Sequence, residues 1–289
     1  MSEPLSFCAV VLTRGDRPVE LAHAVDSLRN QHSVECEIVV VGNGGDVPHE
    51  FEGVETLLLA ENVGIPAGRN RGVEVTHGDV VVFLDDDGVL ADDGLFALLR
   101  NEFSADPTLG IVSFRIADPE GGTTARRHVP RLRAGDPMHS SDVTTFLGGA
   151  CAVRREVFDQ CGGLPDDFFY AHEETDLAWR ALDAGWRIRY DARIAMYHPA
   201  TAPSRHRDYY RLNARNRVWL AKRRLPWPLV PAYIGVWTAL TVVRVRERDA
   251  LRVWFEGFAD GWRSDAGIRT PMRWSTVWKM TRLGRPPIV

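Results

Sequence analysis

Four short apolar runs punctuate the first ninety residues: SFCAVVL at 6–12, EIVVVGNGG at 37–45, VETLLLA at 54–60 and DVVVFLDDDG at 79–88. Two stretches between them have helical spacing. One, behind Pro18, sets Val19, Leu21, Ala22, Val25 and Leu28 on one face; the other, IPAGRNRGVEVTHG at 65–78, reads as a short helix closed by Gly78. Runs that are apolar at successive positions are strands covered on both faces. Strand alternating with helix implies an α/β chain, with a Rossmann-like, mainly parallel sheet flanked by helices. The pattern continues with a helix over 92–104, strand GIVSFRI, a helix over HEETDLAWRALDAG ended by Gly185, and strands WRIRY and RIAMYH. Ligands of such sheets bind beyond the carboxyl ends of the strands, where the glycines after Val41 and the aspartates after Leu84 stand.

Charge divides the chain in two. Residues 1–203 carry 17 basic and 33 acidic side chains, net −16, and 204–289 carry 18 and 6, net +12, which together give the formal −4. Seven of the nine tryptophans also follow position 203. The division predicts two regions in different surroundings, one over 1–203 and a basic, Trp-rich helical one over 204–289. A hydrophobic fraction of 45% excludes a disordered or collagen-like chain. Cys8, Cys36, Cys151 and Cys161 are too widely spaced for a zinc site or disulfide framework and read as thiols in a reducing cytosol. The N-terminal segment lacks the basic and long apolar stretches of a signal peptide, so a cytoplasmic location is expected. Residues 118–142, with four arginines, three glycines and three prolines, read as a functional or disordered loop.

Two acidic clusters could carry chemistry. In an extended segment alternate residues point the same way, so Asp85 and Asp87 can act together while Asp86 turns aside. Three carboxylates at the end of a buried strand repel unless a cation neutralises them, and hard oxygen ligands suit Mg²⁺ or Mn²⁺. The simpler alternative is an acidic turn before the helix near Asp92. An EF-hand fails because the aspartates are consecutive, and VGNGGDV lacks the third glycine of a dinucleotide fingerprint. Glu173, Glu174 and Asp176 open a helix; the helix dipole accounts for two of them, and any of the three could be a general base. His198 is a candidate metal ligand or phosphate contact.

From about Phe7 to Pro199 the chain resembles the family 2 glycosyltransferases of GT-A fold, with five motifs in family order. These are VVLTRGDRPVELAHAVDSLRNQ, IVVVGNGG, NVGIPAGRNRGV, FLDDDG and GGACAVRREVFDQCGGLPDDFFYAHEETDLAWRALDAGWRI. The resemblance implies an inverting transfer from a nucleotide-diphosphate sugar. It puts Thr13, Arg14, Asn43, Arg69, Asn70, Asp85 and Asp86 beside the sugar nucleotide. Asp87, with Asp85 and, as in some members, His198, would hold Mg²⁺ or Mn²⁺, and Glu174 would be the base. Gly42 stands where the family commonly has an aspartate that helps read the nucleotide base, and Glu174 stands where it commonly has Asp.

Residues 225–243 are uncharged, with Lys222, Arg223 and Arg224 before them and Arg244, Arg246 and Arg248 after. Pro226, Pro228 and Pro231 leave only 232–243 for regular helix, too short to span a bilayer. An interfacial helix on anionic lipid is one reading. A helical extension packed on the catalytic domain, or a homo-oligomer contact, is the other, and in either case the region should set location or assembly. Nucleic acid is excluded as a partner by the acidic half and the lack of a binding module. Three functions compete: transfer to a lipid-linked or cell-envelope glycan at the inner membrane face, transfer to a soluble small molecule, and non-catalytic binding of sugar nucleotide or glycan.

Overall fold

The computed structural model of the protein describes residues 4–32, 34–48, 51–120, 122–133, 135–199 and 208–289. The expected boundary at 203/204 lies outside them. Among the described residues nine strands form one sheet: β1 (Phe7–Thr13), β2 (Cys36–Asn43), β3 (Glu55–Leu59), β4 (Val80–Asp85), β5 (Val89–Leu90), β6 (Leu109–Ala117), β7 (Ser141–Asp142), β8 (Ala150–Arg154) and β9 (Arg187–Tyr197). The order is β3-β2-β1-β4-β8-β6-β9-β5, with β7 also on β9. The β3-β2-β1-β4 half is parallel, as the sequence predicts, whereas β8 runs against both of its neighbours. The two strands expected near the end of this region are the single strand β9, which crosses a register shift against β6.

Alternation along the strands sorts the core onto two faces. Ala9, Val11, Val40 and Val82 meet α1 (Pro18–Arg29) and α3 (Leu95–Ala105). Cys8, Val10, Val39, Val81 and Phe83 face the other way, where α2 (Ile65–Val75), α4 (Arg155–Cys161) and α5 (Glu173–Ala184) cover them. Helix α2 ends at Val75, three residues before Gly78, where Thr76 turns to extended backbone.

The basic region is helical: α6 (Tyr209–Arg224), α7 (Val230–Arg244), α8 (Arg248–Arg263) and α9 (Trp274–Arg282). Pro231 falls in the first turn of α7, where a missing N–H costs nothing, so this helix is longer than the sequence predicts. Among the described residues no helix is long and apolar enough to cross a membrane. Trp219, Leu220, Tyr233, Val277 and Met280 join the core on the α5 side. The charge imbalance of the two halves is partly spent between them. Arg223 pairs with Asp167, Arg224 with Asp176 at 2.6 Å, and Arg273 with Asp183 at 3.5 Å.

Candidate active site

Parallel register brings the carboxyl ends of β1, β2 and β4 to one edge, with Leu12 opposite Asp85 and Thr13 opposite Gly42. The short β5 turns back from Asp87 and pairs Val89 with Tyr197. That pairing carries His198, 111 positions away in sequence, to Asp87: Nε2 lies 2.9 Å from Oδ1. The ligand atoms of Asp85, Asp87 and His198 lie within 4.8 Å of one another. His198 Nδ1 is 2.7 Å from the Pro199 carbonyl oxygen, so Nδ1 donates there and Nε2 is the nitrogen turned toward the carboxylates. Two hard oxygens and an imidazole are a donor set that fits Mn²⁺ or Mg²⁺.

Protein cations surround the same carboxylates. Arg69 Nη2 donates to Asp85 Oδ1 at 2.9 Å, and Arg17, which precedes α1, pairs with Asp87 and lies 3.4 Å from Asp86. Asp86 also accepts the Thr13 hydroxyl at 2.7 Å. Burial pushes the Asp86 carboxyl up to about 6, against the Thr13 bond and the Arg17 charge. Burial alone would lower the His198 pKa, but its bond to Asp87 and the charges of Asp87 and Asp85 hold it above the ordinary value.

The carboxylates of α5 are treated differently. Asp176 is fully buried and bound by Arg180 at 2.8 Å and Arg224 at 2.6 Å, so it ties α5 to α6 and is not brought to the site. Glu173 is 2% exposed, and its Oε2 has no hydrogen-bond partner among the described residues. Desolvation, then the charge of Glu174, pushes Glu173 up to about 8. Desolvation also raises Glu174, opposed by Arg69 and by the backbone N–H groups of Glu174 and Gly148. Glu174 is the member that reaches the strand ends. A Cβ at Gly148 would collide with Glu174 Oε1 and Arg69 Nη1, and one at Gly149 would overlap the Asp85 carboxylate. The Gly-Gly pair is the space in which base candidate, Arg69 and Asp85 meet.

The chain leading into α5 is strained. Phe169, Ala171 and His172 have φ of 62°, 71° and 71°, a region costly for residues with side chains. Asn216 of α6 compensates: its fully buried side-chain amide lies 2.9, 2.8 and 2.9 Å from the carbonyl oxygens of Phe168, Tyr170 and Ala171. Arg215 donates to the carbonyls of Asp167 and Phe168 at 2.9 Å each. The region expected to set location or assembly thus holds the loop that presents Glu174.

The remaining candidates separate by what their side chains already bind. Asn43 donates to Asn62 Oδ1 and the Gly64 carbonyl, 3.1 Å each, and accepts from Val63 N–H at 2.9 Å, so it pins the loop before α2. Asn70 donates to the Leu164 carbonyl at 2.8 Å and accepts from its N–H at 3.0 Å, which holds the chain after α4. Arg14 is exposed. In the 118–142 loop His128 lies 6.4 Å from His198, ring to ring, and burial, then the Arg127 charge, lowers its pKa to about 4. Sequence reasoning missed Arg17, Gly148, Gly149, His128 and Asn216. GGA before an apolar strand was the one usable signal among them.

The model of the family "Glycosyl transferase family 2" matches residues 8–162. The chain is 29% identical over 193 residues to a pre-mycofactocin glycosyltransferase of Mycobacterium tuberculosis (strain CDC 1551 / Oshkosh), covering 62% of this chain and 39% of that one. It is 25% identical over 251 residues to the O-antigen biosynthesis protein RfbC of Myxococcus xanthus, covering 76% and 20%. The chain therefore spans about two fifths and one fifth of these relatives' lengths. Its fold resembles the crystal structure of GalNAc-T7 with UDP, GalNAc and Mn²⁺, with a TM-score of 0.63 at 14% identity over 92% of this chain and 57% of that one. With a matched segment longer than half of its 289 residues, the chain belongs to glycosyl transferase family 2.

Proposed function

We propose that the protein transfers a sugar, with inversion, from a nucleotide-diphosphate donor to an acceptor hydroxyl. The observation that carries this reading is the meeting of Asp85, Arg69 and Glu174 around Gly148 and Gly149, beside the Asp85, Asp87 and His198 donor set. Those three would hold Mn²⁺ or Mg²⁺, which when bound would neutralise the departing diphosphate. Glu174 takes the acceptor proton as the acceptor oxygen bonds to the anomeric carbon and the carbon–diphosphate bond breaks. Its raised pKa makes it the stronger base, and Arg69 beside it favours the ionised form from which it must start. Glu173, held protonated at neutral pH, leaves the pair one negative charge rather than two.

A membrane-linked or envelope glycan is the acceptor class favoured by the outer surface of the basic region. Phe255 and Trp262 of α8 are seven residues apart, Trp274 and Trp278 of α9 four apart, and all are exposed. Each helix so presents an aromatic pair, and the exposed Arg248, Arg252 and Arg263 supply charge for anionic lipid. Transfer to a soluble small molecule is the second reading, supported by the name of the mycobacterial relative. The test is a thermal-shift screen of nucleotide sugars with Mn²⁺, followed by sedimentation with anionic liposomes at rising salt. A donor-dependent rise in Tm with Mn²⁺ and salt-sensitive sedimentation are expected. No stabilisation by any nucleotide sugar would overturn the transferase reading, and no liposome binding at low salt would overturn the membrane reading.

A further inference from the structure

One residue of the site, Arg17, takes no part in the transfer proposed above. Its main chain is fixed: it precedes Pro18 at the head of α1, and its carbonyl oxygen accepts the Leu21 N–H at 2.9 Å. Its side chain is not packed into the core, being 26% exposed, and reaches the residues that follow β4. There Arg17 Nη1 pairs with Asp87 Oδ2 and lies 3.4 Å from Asp86 Oδ1. Asp86 is itself oriented by the Thr13 hydroxyl, which donates to Oδ2 at 2.7 Å and accepts the Gly15 N–H at 3.0 Å. The middle aspartate is not in the donor set of Asp85, Asp87 and His198, and what it holds is the guanidinium.

Arg17 and a divalent cation compete for the same carboxylate. Asp87 has Arg17 on Oδ2 and His198 Nε2 at 2.9 Å from Oδ1, while Asp85 Oδ1 accepts from Arg69 at 2.9 Å. A cation held by Asp85, Asp87 and His198 must take Asp87 from Arg17 or share it with a guanidinium of like charge. The Asp87 side chain is 6% exposed, so solvent screens that repulsion weakly. The charge count leads to the same place. At full ionisation Asp85, Asp86 and Asp87 exceed Arg17 and Arg69 by one negative charge, three against two. A bare divalent ion would reverse that balance, whereas an ion that enters with a diphosphate brings its own negative charge and leaves it nearly unchanged. A diphosphate on that ion would stand next to the displaced guanidinium, whose planar fork matches phosphate oxygens.

We propose that Arg17 is a resident counter-ion of the cation site, held on Asp86 and Asp87 until metal and donor enter together, and thereafter a ligand of the donor diphosphate. The inference rests on the metal-dependent reading above. The test first titrates Mn²⁺ alone into the full chain and follows the free ion by electron paramagnetic resonance. Calorimetry then measures UDP, GDP and dTDP at saturating Mn²⁺. Arg17→Gln should bind Mn²⁺ alone about ten-fold tighter than the native chain, and bind the preferred diphosphate about ten-fold more weakly. Opposite shifts from one substitution separate this role from a structural defect, which would weaken both. Arg17→Met, which keeps the stem without the charge, should behave alike and serves where the glutamine variant fails to fold. Mn²⁺ affinity that is unchanged or weaker in the folded variants overturns the proposal, as does unchanged diphosphate affinity. Asp87→Ala, which should lose the ion, shows that the titration reads this site. Mn²⁺ binding that needs Asp87 yet is indifferent to Arg17 overturns this inference alone. Failure of the native chain and the variants alike to bind Mn²⁺, with or without a diphosphate, removes the metal-dependent reading with it.

Discussion

The two acidic clusters at the site have similar composition and opposite electrostatic surroundings. Asp85, Asp86 and Asp87 end a strand and are met by Arg17, Arg69 and His198 from three other elements. Glu173 and Glu174 open a helix in a space where Arg69 and a few backbone N–H groups offset them incompletely, and both are pushed toward protonation. Asp176, in the same cluster, is neutralised by two arginines and serves the fold. Surroundings rich in cations and an imidazole suit the binding of metal and diphosphate, whereas a poorly compensated carboxylate suits the uptake of a proton.

Breaking the cation-rich side should have the largest effect. Asp87→Ala removes a proposed metal ligand and the partner of both Arg17 and His198, and transfer should fall by at least about 10³-fold together with loss of Mn²⁺ binding by calorimetry. Asn216→Ala tests the dependence of the base on the basic region. The partly buried carbonyls of Tyr170 and Ala171 lose the Asn216 amide as donor, at about 1–3 kcal/mol in total, so Tm should drop by about 2–6 °C and kcat should fall more than donor affinity. Unchanged kcat in the folded variant would detach α6 from catalysis.

The smallest effect sharpens the proton-rich side. The Glu173 pKa rises from 4.5 unfolded to about 8 folded, so the native state binds more protons across that interval and loses stability as pH climbs through it. Glu173→Gln removes the penalty. Its Tm should match the native chain near pH 4.5 and exceed it increasingly up to about pH 8. A constant difference across that range would mean that Glu173 is not protonated in the native state.

The sheet was legible because buried parallel strands leave continuous apolar runs, and Asp85 and Asp87 because the strand carries them to its end. The DxD pair, Arg69, Glu174 and His198 were all named from motifs. What escaped were residues whose role exists only through distant partners. Arg17 looked like a loop arginine until β1 and β4 paired. Asn216 sits in a helix without a pattern of its own, and its partners are carbonyls of a strained turn some 45 residues earlier. The charge reversal between the halves was plain in the sequence, but its use in joining them, through Asp167, Asp176 and Asp183, required the packing of α5 against α6 and α9.

The central claim is that Glu174 accepts the proton while Asp85, Asp87 and His198 hold the metal. Single-turnover transfer by Glu174→Gln with Mn²⁺ and saturating nucleotide sugar tests it most directly. The expected result is Mn²⁺ and donor binding within about two-fold of the native chain and a transfer rate lower by about 10²–10⁴-fold. Full transfer by the Glu174→Gln protein would contradict it.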